Sequence, residues 1–141
     1  MKQLLELKEQ VGTIMCASDL FNKIKRMRID FCQENTIVFY LDTKNKLIKS
    51  EVLFKGGLNE CTIDPRIIFR NALKHNSNSI IVAHNHPSGD LTPSFEDEEI
   101  TKKLARAGRT IRIRLIDAVT FNKKEYYTFY QSGGDVYDSP D

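Results

Sequence analysis

From Leu20 onward the apolar residues switch repeatedly between helical spacing and short β-rich runs, and this switching constrains the fold more than any other feature. Leu20, Ile24, Met27 and Phe31 recur at i, i+4, i+7 and i+11, with Ser18 as N-cap, which predicts an amphipathic helix over 18–32 with a basic outer face. Residues 36–41 (TIVFYL) and 47–54 are β-rich, and the Asp42-Thr-Lys-Asn-Lys46 segment between them has turn composition, so a hairpin is expected, ended by Gly56-Gly57. Pro65 suits the first turn of a helix capped by Asp64, with Ile67, Ile68, Ala72 and Leu73 on its buried side up to about Lys74. Residues 79–83 (SIIVA) read as a buried strand. Ser94 then caps a helix with apolar positions Ile100, Leu104 and Ala107 and a stop at Gly108. Ile111, Ile113 and Leu115 alternate with Arg112 and Arg114 in a further strand, and residues 126–130 supply one more. The expected class is α/β, a mixed central sheet flanked by helices.

The 141 residues, 40% apolar and 28% charged, leave room for one domain, assigned to 1–131, followed by a flexible polar tail over 132–141 (SGGDVYDSPD). A chain of this length buries roughly two thirds of its unfolded surface, so it needs no metal merely to hold a core. Any metal would therefore be there for chemistry. Twenty-one Lys and Arg against nineteen Asp and Glu give a charge of +2, which does not advertise a nucleic-acid partner. Cys16, Cys32 and Cys61 are odd in number and lack CxxC spacing, so they read as reduced thiols and not as a disulfide or zinc-finger framework. The leucine cluster of MKQLLELKEQ is broken by charges, and no stretch approaches the roughly 18 apolar residues of a membrane span. A soluble, cytoplasmic protein with no membrane partner is expected.

Chemistry concentrates in His84-Asn-His86-Pro-Ser-Gly-Asp90-Leu-Thr-Pro-Ser94-Phe-Glu-Asp97, where a strand gives way to a loop and then a helix. In extended backbone, residues i and i+2 share a face, so His84 and His86 can offer two ring nitrogens to one ion at about 2.0–2.1 Å. Asp97, in the first turn of the next helix, can complete three protein ligands and leave a fourth position for water. Ser94-x-x-Asp97 equally satisfies a capping-box pattern, with the serine accepting from a backbone amide and the carboxylate favoured by the helix dipole. Histidines at strand ends also commonly bond to backbone. Both readings stand at this point.

The run HNHPSGDLTPSFED closely resembles the signature of the RadC-like proteins, a bacterial branch of the JAMM (MPN-plus or JAB) metalloproteases, whose motif is His-x-His, seven residues, then Ser-x-x-Asp. His84, His86, Ser94 and Asp97 meet that count, and the similarity extends from about Glu34 to Asp117, through Gly57-Leu-Asn59, Asp64-Pro-Arg66 and Ala107-Gly108. The resemblance implies a JAMM/MPN-type, cytidine-deaminase-like three-layer fold. It implies one zinc per chain on His84, His86 and Asp97, a hydrogen bond from Ser94 that stabilises the tetrahedral intermediate, and an upstream glutamate as general base. Glu34, where the first helix gives way to a strand, matches that glutamate; Glu51 and Glu60 are weaker candidates, expected to be solvated. The function implied is zinc-dependent hydrolysis of a peptide or isopeptide bond in an unidentified peptide or protein.

Two features depart from the family pattern. Only about 33 residues precede Glu34, without the helix-hairpin-helix character of full-length RadC proteins, so a stand-alone domain is expected and DNA binding is not inherited from such a region. The usual family Asp-His near the strand after the metal helix reads Asp117-Ala118 here, which bears on substrate or packing more than on metal. Two other classes remain. One is a DNA-associated protein linked to DNA repair or mobile elements, using Lys23, Lys25, Arg26, Arg28, Arg112 and Arg114 on phosphates. The other is a non-catalytic zinc-binding scaffold. The tripeptide His84-Asn85-His86 is not the dispersed constellation of HNH nucleases, and the Pro-Cys-x-x-Cys ligand pair of zinc deaminases is absent.

Overall fold

The computed structural model describes residues 12–14, 16–56 and 63–129. Gly57-Leu-Asn59, Glu60, Cys61, Tyr130 and the tail over 132–141 lie outside the described residues. The elements run α1 (Ala17–Lys25), β1 (Asn35–Leu41), β2 (Leu47–Lys55), α2 (Pro65–Lys74), β3 (Ser79–Asn85), α3 (Phe95–Ile111), β4 (Arg114–Phe121) and β5 (Tyr126–Thr128). They form the expected α/β arrangement, a five-stranded mixed sheet of order β2-β1-β3-β4-β5. Only β3 and β4 pair in parallel, and α3 makes the crossover between them. Every other neighbouring pair is antiparallel.

Alternation along the central strands sorts their side chains into two cores. Val38, Tyr40, Ile80, Val82 and Leu115 pack with Ile68, Phe69 and Ala72 of α2 and Leu104 and Ala105 of α3. On the other face, Ile37, Phe39, Leu41, Ile81, Ala83, Val119 and Phe121 pack with Leu20, Phe21 and Ile24 of α1. All seven β1 residues are consequently buried. That is why the segment reads as a continuous apolar run and not as a half-exposed strand. Removing each large aliphatic or phenylalanine side chain of these cores from water contributes about 1.5–3 kcal/mol.

Local signals hold where turn chemistry is decisive. Asp42 Oδ1 accepts from the Lys44 and Lys46 amides at 2.8 and 2.9 Å, closing the hairpin. Asp64 caps α2 through the Arg66 amide at 2.9 Å, with Pro65 in the first turn.

Four expectations need correction. The first helix ends at Lys25 and does not reach residue 32, because Asp30 competes for the backbone: its side chain accepts from the Cys32 amide and its carbonyl from the Gln33 amide. Phe31 nevertheless reaches the core, edge-on to Phe121 at 6.0 Å. The N-cap of this helix is Cys16, and Ser18 instead meets the Cys16 thiol at 3.0 Å. Leu73 is 61% exposed, since α2 turns Ile68, Phe69 and Ala72 inward.

The fourth concerns Gly108, which lies inside α3 and does not stop it. The helix continues to Ile111, and Arg112 closes it in the left-handed region at φ 61°, with the Ile113 amide bonded to the Gly108 carbonyl at 2.9 Å. Ile111 and Arg112 thus belong to the helix and its cap, and the strand begins at Arg114. A Cβ at Gly108 would overlap the backbone carbonyl of Ile113. Gly108→Ala should gain about 1 kcal/mol of helix propensity but lose about 1–3 kcal/mol to overpacking against backbone that cannot step aside. The expected result is net destabilisation, read as a lower urea midpoint at unchanged m-value. A raised midpoint would contradict the close packing of α3 on the β4 approach.

Candidate metal centre

Strand β3 extends two residues past the apolar run, so His84 lies within it and His86 follows directly. His84 shares the face of Val82, the α2/α3 side, and pairs with Thr36 of β1 and Thr120 of β4. The loop after His86 is folded by its own polar groups. Gly89 adopts φ 83°, which favours glycine, and donates its amide to the His86 carbonyl at 2.8 Å; Asp90 Oδ1 accepts from the Thr92 amide at 2.9 Å. Asn122 Nδ2 donates to the Gly89 carbonyl at 2.9 Å, tying the loop to the β4–β5 turn.

These constraints bring three ligand-type atoms together. His86 Nε2 lies 2.9 Å and His84 Nε2 3.2 Å from Asp97 Oδ2, and the two Nε2 atoms are 3.3 Å apart. A tetrahedral ion with N and O ligands at about 2.0–2.2 Å separates its ligand atoms by about 3.3–3.6 Å, a spacing the three atoms reach by opening a few tenths of an ångström. The triangle therefore fits a single ion with one position left over. The donor set, two imidazoles and a carboxylate, matches open-position metal sites. All three side chains are mostly buried, 13–17% exposed. The His86 ring has its tautomer fixed: Nδ1 lies 2.7 Å from the Asp90 carbonyl, which only accepts, so Nδ1 carries the proton and Nε2 faces the group.

Ser94 and Asp97 do form a capping box. Ser94 Oγ accepts from the Asp97 amide at 3.0 Å, and Asp97 Oδ2 accepts from the Ser94 amide at 2.8 Å. The capping and ligand readings of Asp97 are compatible, because the same Oδ2 that receives the Ser94 amide faces both histidines. With Oγ acting as acceptor, the exposed Ser94 hydroxyl keeps its hydrogen for another partner.

The electrostatics follow from this crowding. Asp97 hydrogen-bonds to His86, which, against the opposing effect of burial, pushes the His86 pKa up to about 9 in the metal-free protein. Burial pushes Asp97 up, but hydrogen bonds from His84 and His86 outweigh it and hold the carboxyl well below the usual range. Glu34 is raised first by burial and further by Asp97, while His84 and His86 pull it down. The structure thus places Glu34 within the electrostatic field of all three residues.

The remaining candidates fall elsewhere. Glu51 is not solvated as expected: it accepts the Tyr40 hydroxyl at 2.8 Å and lies 4.0 Å from His75 Nε2. Burial, reinforced by this bond, raises the Tyr40 phenol above its ordinary range. Of the basic residues, Lys25, Arg26 and Arg28 are exposed, whereas Arg112 is a helix cap and not a strand residue. Ala118 lines a small space beside His84, Asp97, Tyr127 and Phe129. Sequence reasoning gave no role to Asp90 and Asn122, whose only signal is turn composition.

A sheet-borne His-x-His closed by an aspartate from a helix N-terminus is a donor group that could hold a metal ion on an α/β domain. The chain belongs to the RadC-like JAB domain family, which it matches over residues 14–134. It is 41% identical over 126 residues to a UPF0758 protein of Chlorobium chlorochromatii (strain CaD3), covering 89% of this chain and 57% of that protein. It is 40% identical over 120 residues to UPF0758 protein SH1266 of Staphylococcus haemolyticus (strain JCSC1435), covering 85% and 53%. A UPF0758 protein of Actinobacillus pleuropneumoniae serotype 5b (strain L20) is 46% identical over 97 residues, covering 69% and 44%. The chain therefore spans about half the length of the curated relatives it matches. Among the described residues, no helix is long and apolar enough to cross a membrane.

Proposed function

We propose that this domain is a zinc-dependent metallohydrolase that cleaves peptide or isopeptide bonds, with one zinc on His84, His86 and Asp97. The observation that carries the reading is the convergence of the three ligand atoms within 3.3 Å of one another, in a field that Glu34 shares. Zinc in such a site lowers the pKa of bound water from 15.7 towards about 7 and polarises a carbonyl. Glu34 is the general base: its carboxylate takes the proton from the attacking water and returns it to the leaving nitrogen. The Ser94 hydroxyl, already fixed by the Asp97 amide, donates to the oxyanion that develops on the substrate carbonyl.

The deciding experiment measures zinc per chain in protein purified without a histidine-rich tag, then screens peptides and isopeptide-linked substrates with and without chelator. About one zinc per chain, and cleavage lost on chelation and restored by zinc, is expected. A chain that neither carries zinc nor takes it up on reconstitution would exclude the reading.

The raised His86 pKa gives the site a pH signature. Without metal at pH 7.5, His86 is protonated, since its pKa is pushed up to about 9, yet a ligand imidazole must be neutral. Zinc binding should therefore release about one proton at that pH, and affinity should rise with pH up to about 9 and level off above it. Calorimetry in two buffers of different ionisation enthalpy measures the proton count. An affinity that is flat between pH 6.5 and 9 would show that His86 gives up no proton on binding zinc.

A further inference from the structure

Beside the three ligand-type side chains lie two buried amides that the chemistry above leaves without a role, Asn85 and Asn35, 0% and 2% exposed. Asn85 falls between the two histidines in sequence, but alternation turns it to the opposite face of the sheet, so it does not share their face. Instead it meets the start of β1. Its Oδ1 accepts from the Asn35 backbone amide at 2.9 Å and from Asn35 Nδ2 at 3.2 Å, and its Nδ2 donates to the Gln33 carbonyl at 3.0 Å.

The Gln33 carbonyl belongs to the peptide group before Glu34 and the Asn35 amide to the one after it. A single side chain thus holds both peptide groups that flank Glu34. Asn35 Nδ2 reinforces the hold through the Gln33 carbonyl at 3.1 Å and the Asp30 carbonyl at 2.9 Å, and the Gly56 amide donates to the Glu34 carbonyl at 2.7 Å. The β1–β3 register closes at Thr36 and His84, one pair short of this point. Asn85 supplies through its side chain the bonds that a further ladder step would otherwise provide.

We infer that Asn85, with Asn35 as its second arm, is the positioning residue that fixes Glu34 on the His84 face of the sheet. Asn35 and Asn85 occupy the α1 side, so the chain direction they impose sends the intervening Glu34 to the other side, towards the histidines and Asp97. The clamp's bonds run to Gln33, Asn35 and Asp30, on the face of the sheet opposite His84. It acts through Glu34, and it rests on the reading of Glu34 as general base.

The test uses the zinc-loaded chain carrying Asn85→Ala, with Asn35→Ala as a second variant should the first fail to fold. Crystal structures of the variants are expected to show the Glu34 carboxylate displaced from the His84–His86–Asp97 group, with zinc affinity retained. On any substrate found for the parent protein, kcat should fall about 10²-fold, the cost of misplacing a reacting group by about 1 Å, at unchanged KM. In a Glu34→Gln background, Asn85→Ala should cause no further loss, because the two residues act as one unit. An unmoved Glu34 carboxylate overturns the proposal. So does a drop in zinc affinity of about 10-fold or more, the mark of a group that orients ligand imidazoles, or an additive loss in the Glu34→Gln background. Full turnover in Glu34→Gln alone would instead remove the general-base reading, and the crystal structures would still decide whether Asn85 sets the place of Glu34.

Discussion

Alanine at His84, His86 or Asp97 is expected to leave a folded protein that no longer retains zinc, a change from about one ion per chain to none. In the proposed site two imidazoles and one carboxylate supply every protein bond to the ion, so no variant would keep more than two. The three substitutions differ in their side effects. Asp97→Ala also removes one half of the capping box on α3, which costs about 0.5–2 kcal/mol, whereas the histidines cap nothing. Asp97→Asn separates the two roles, since its amide oxygen still accepts from the Ser94 N–H but carries no charge for the metal. It should melt near the parent and yet bind zinc weakly. Elemental analysis paired with thermal melting checks both statements, and any variant that keeps a full zinc removes that residue from the ligand set.

The sequence-derived expectations held where the determinants are local. The strands of the hairpin, the Asp64-Pro65 start of α2 and the Ser94 cap of α3 all follow from turn and capping chemistry within a few residues. They failed at the Ser18 cap and at the Asp30 turn, where a competing local bond won, and at Gly108, where packing decides. Phe31 keeps the helical spacing of Leu20 and Ile24 because the core needs an apolar residue there, but the backbone delivers it from an Asp30 turn. Gly108 resembles a stop signal, yet its missing side chain makes room for the Ile113 carbonyl.

At the site, the His-x-His pair and the Ser94–Asp97 pair were legible because each is a short local pattern. The sequence alone could not choose between ligand and cap for Asp97, and the structure shows that one carboxylate oxygen meets both sets of partners. The Asn85 contacts with Gln33 and Asn35 span about fifty residues and leave no period to detect. The Asn122–Gly89 bond is hidden for the same reason. Glu34 became a candidate only through family resemblance, because nothing local separates it from a solvated helix-end carboxylate.

Glu34→Gln is expected to keep zinc and fold while lowering turnover by about 10²–10⁴-fold, the usual contribution of a positioned general base. Glutamine matches the shape of glutamate, and the bonds at this segment run through the backbone of residues 33–35, so the clamp survives the change. What disappears is the ability to accept a proton. A general base works only in its ionised form, so the parent should show an acid limb in kcat/KM that climbs as Glu34 loses its proton. The residual activity of Glu34→Gln should lack that limb. Glu51→Gln is the matched control, since Glu51 accepts the Tyr40 hydroxyl and an amide oxygen can do the same. It should cost little turnover and leave the acid limb in place. Equal losses in the two variants would assign the effect to removal of acidic charge in general, and full turnover in Glu34→Gln would move proton transfer to another group without disturbing the ligand set.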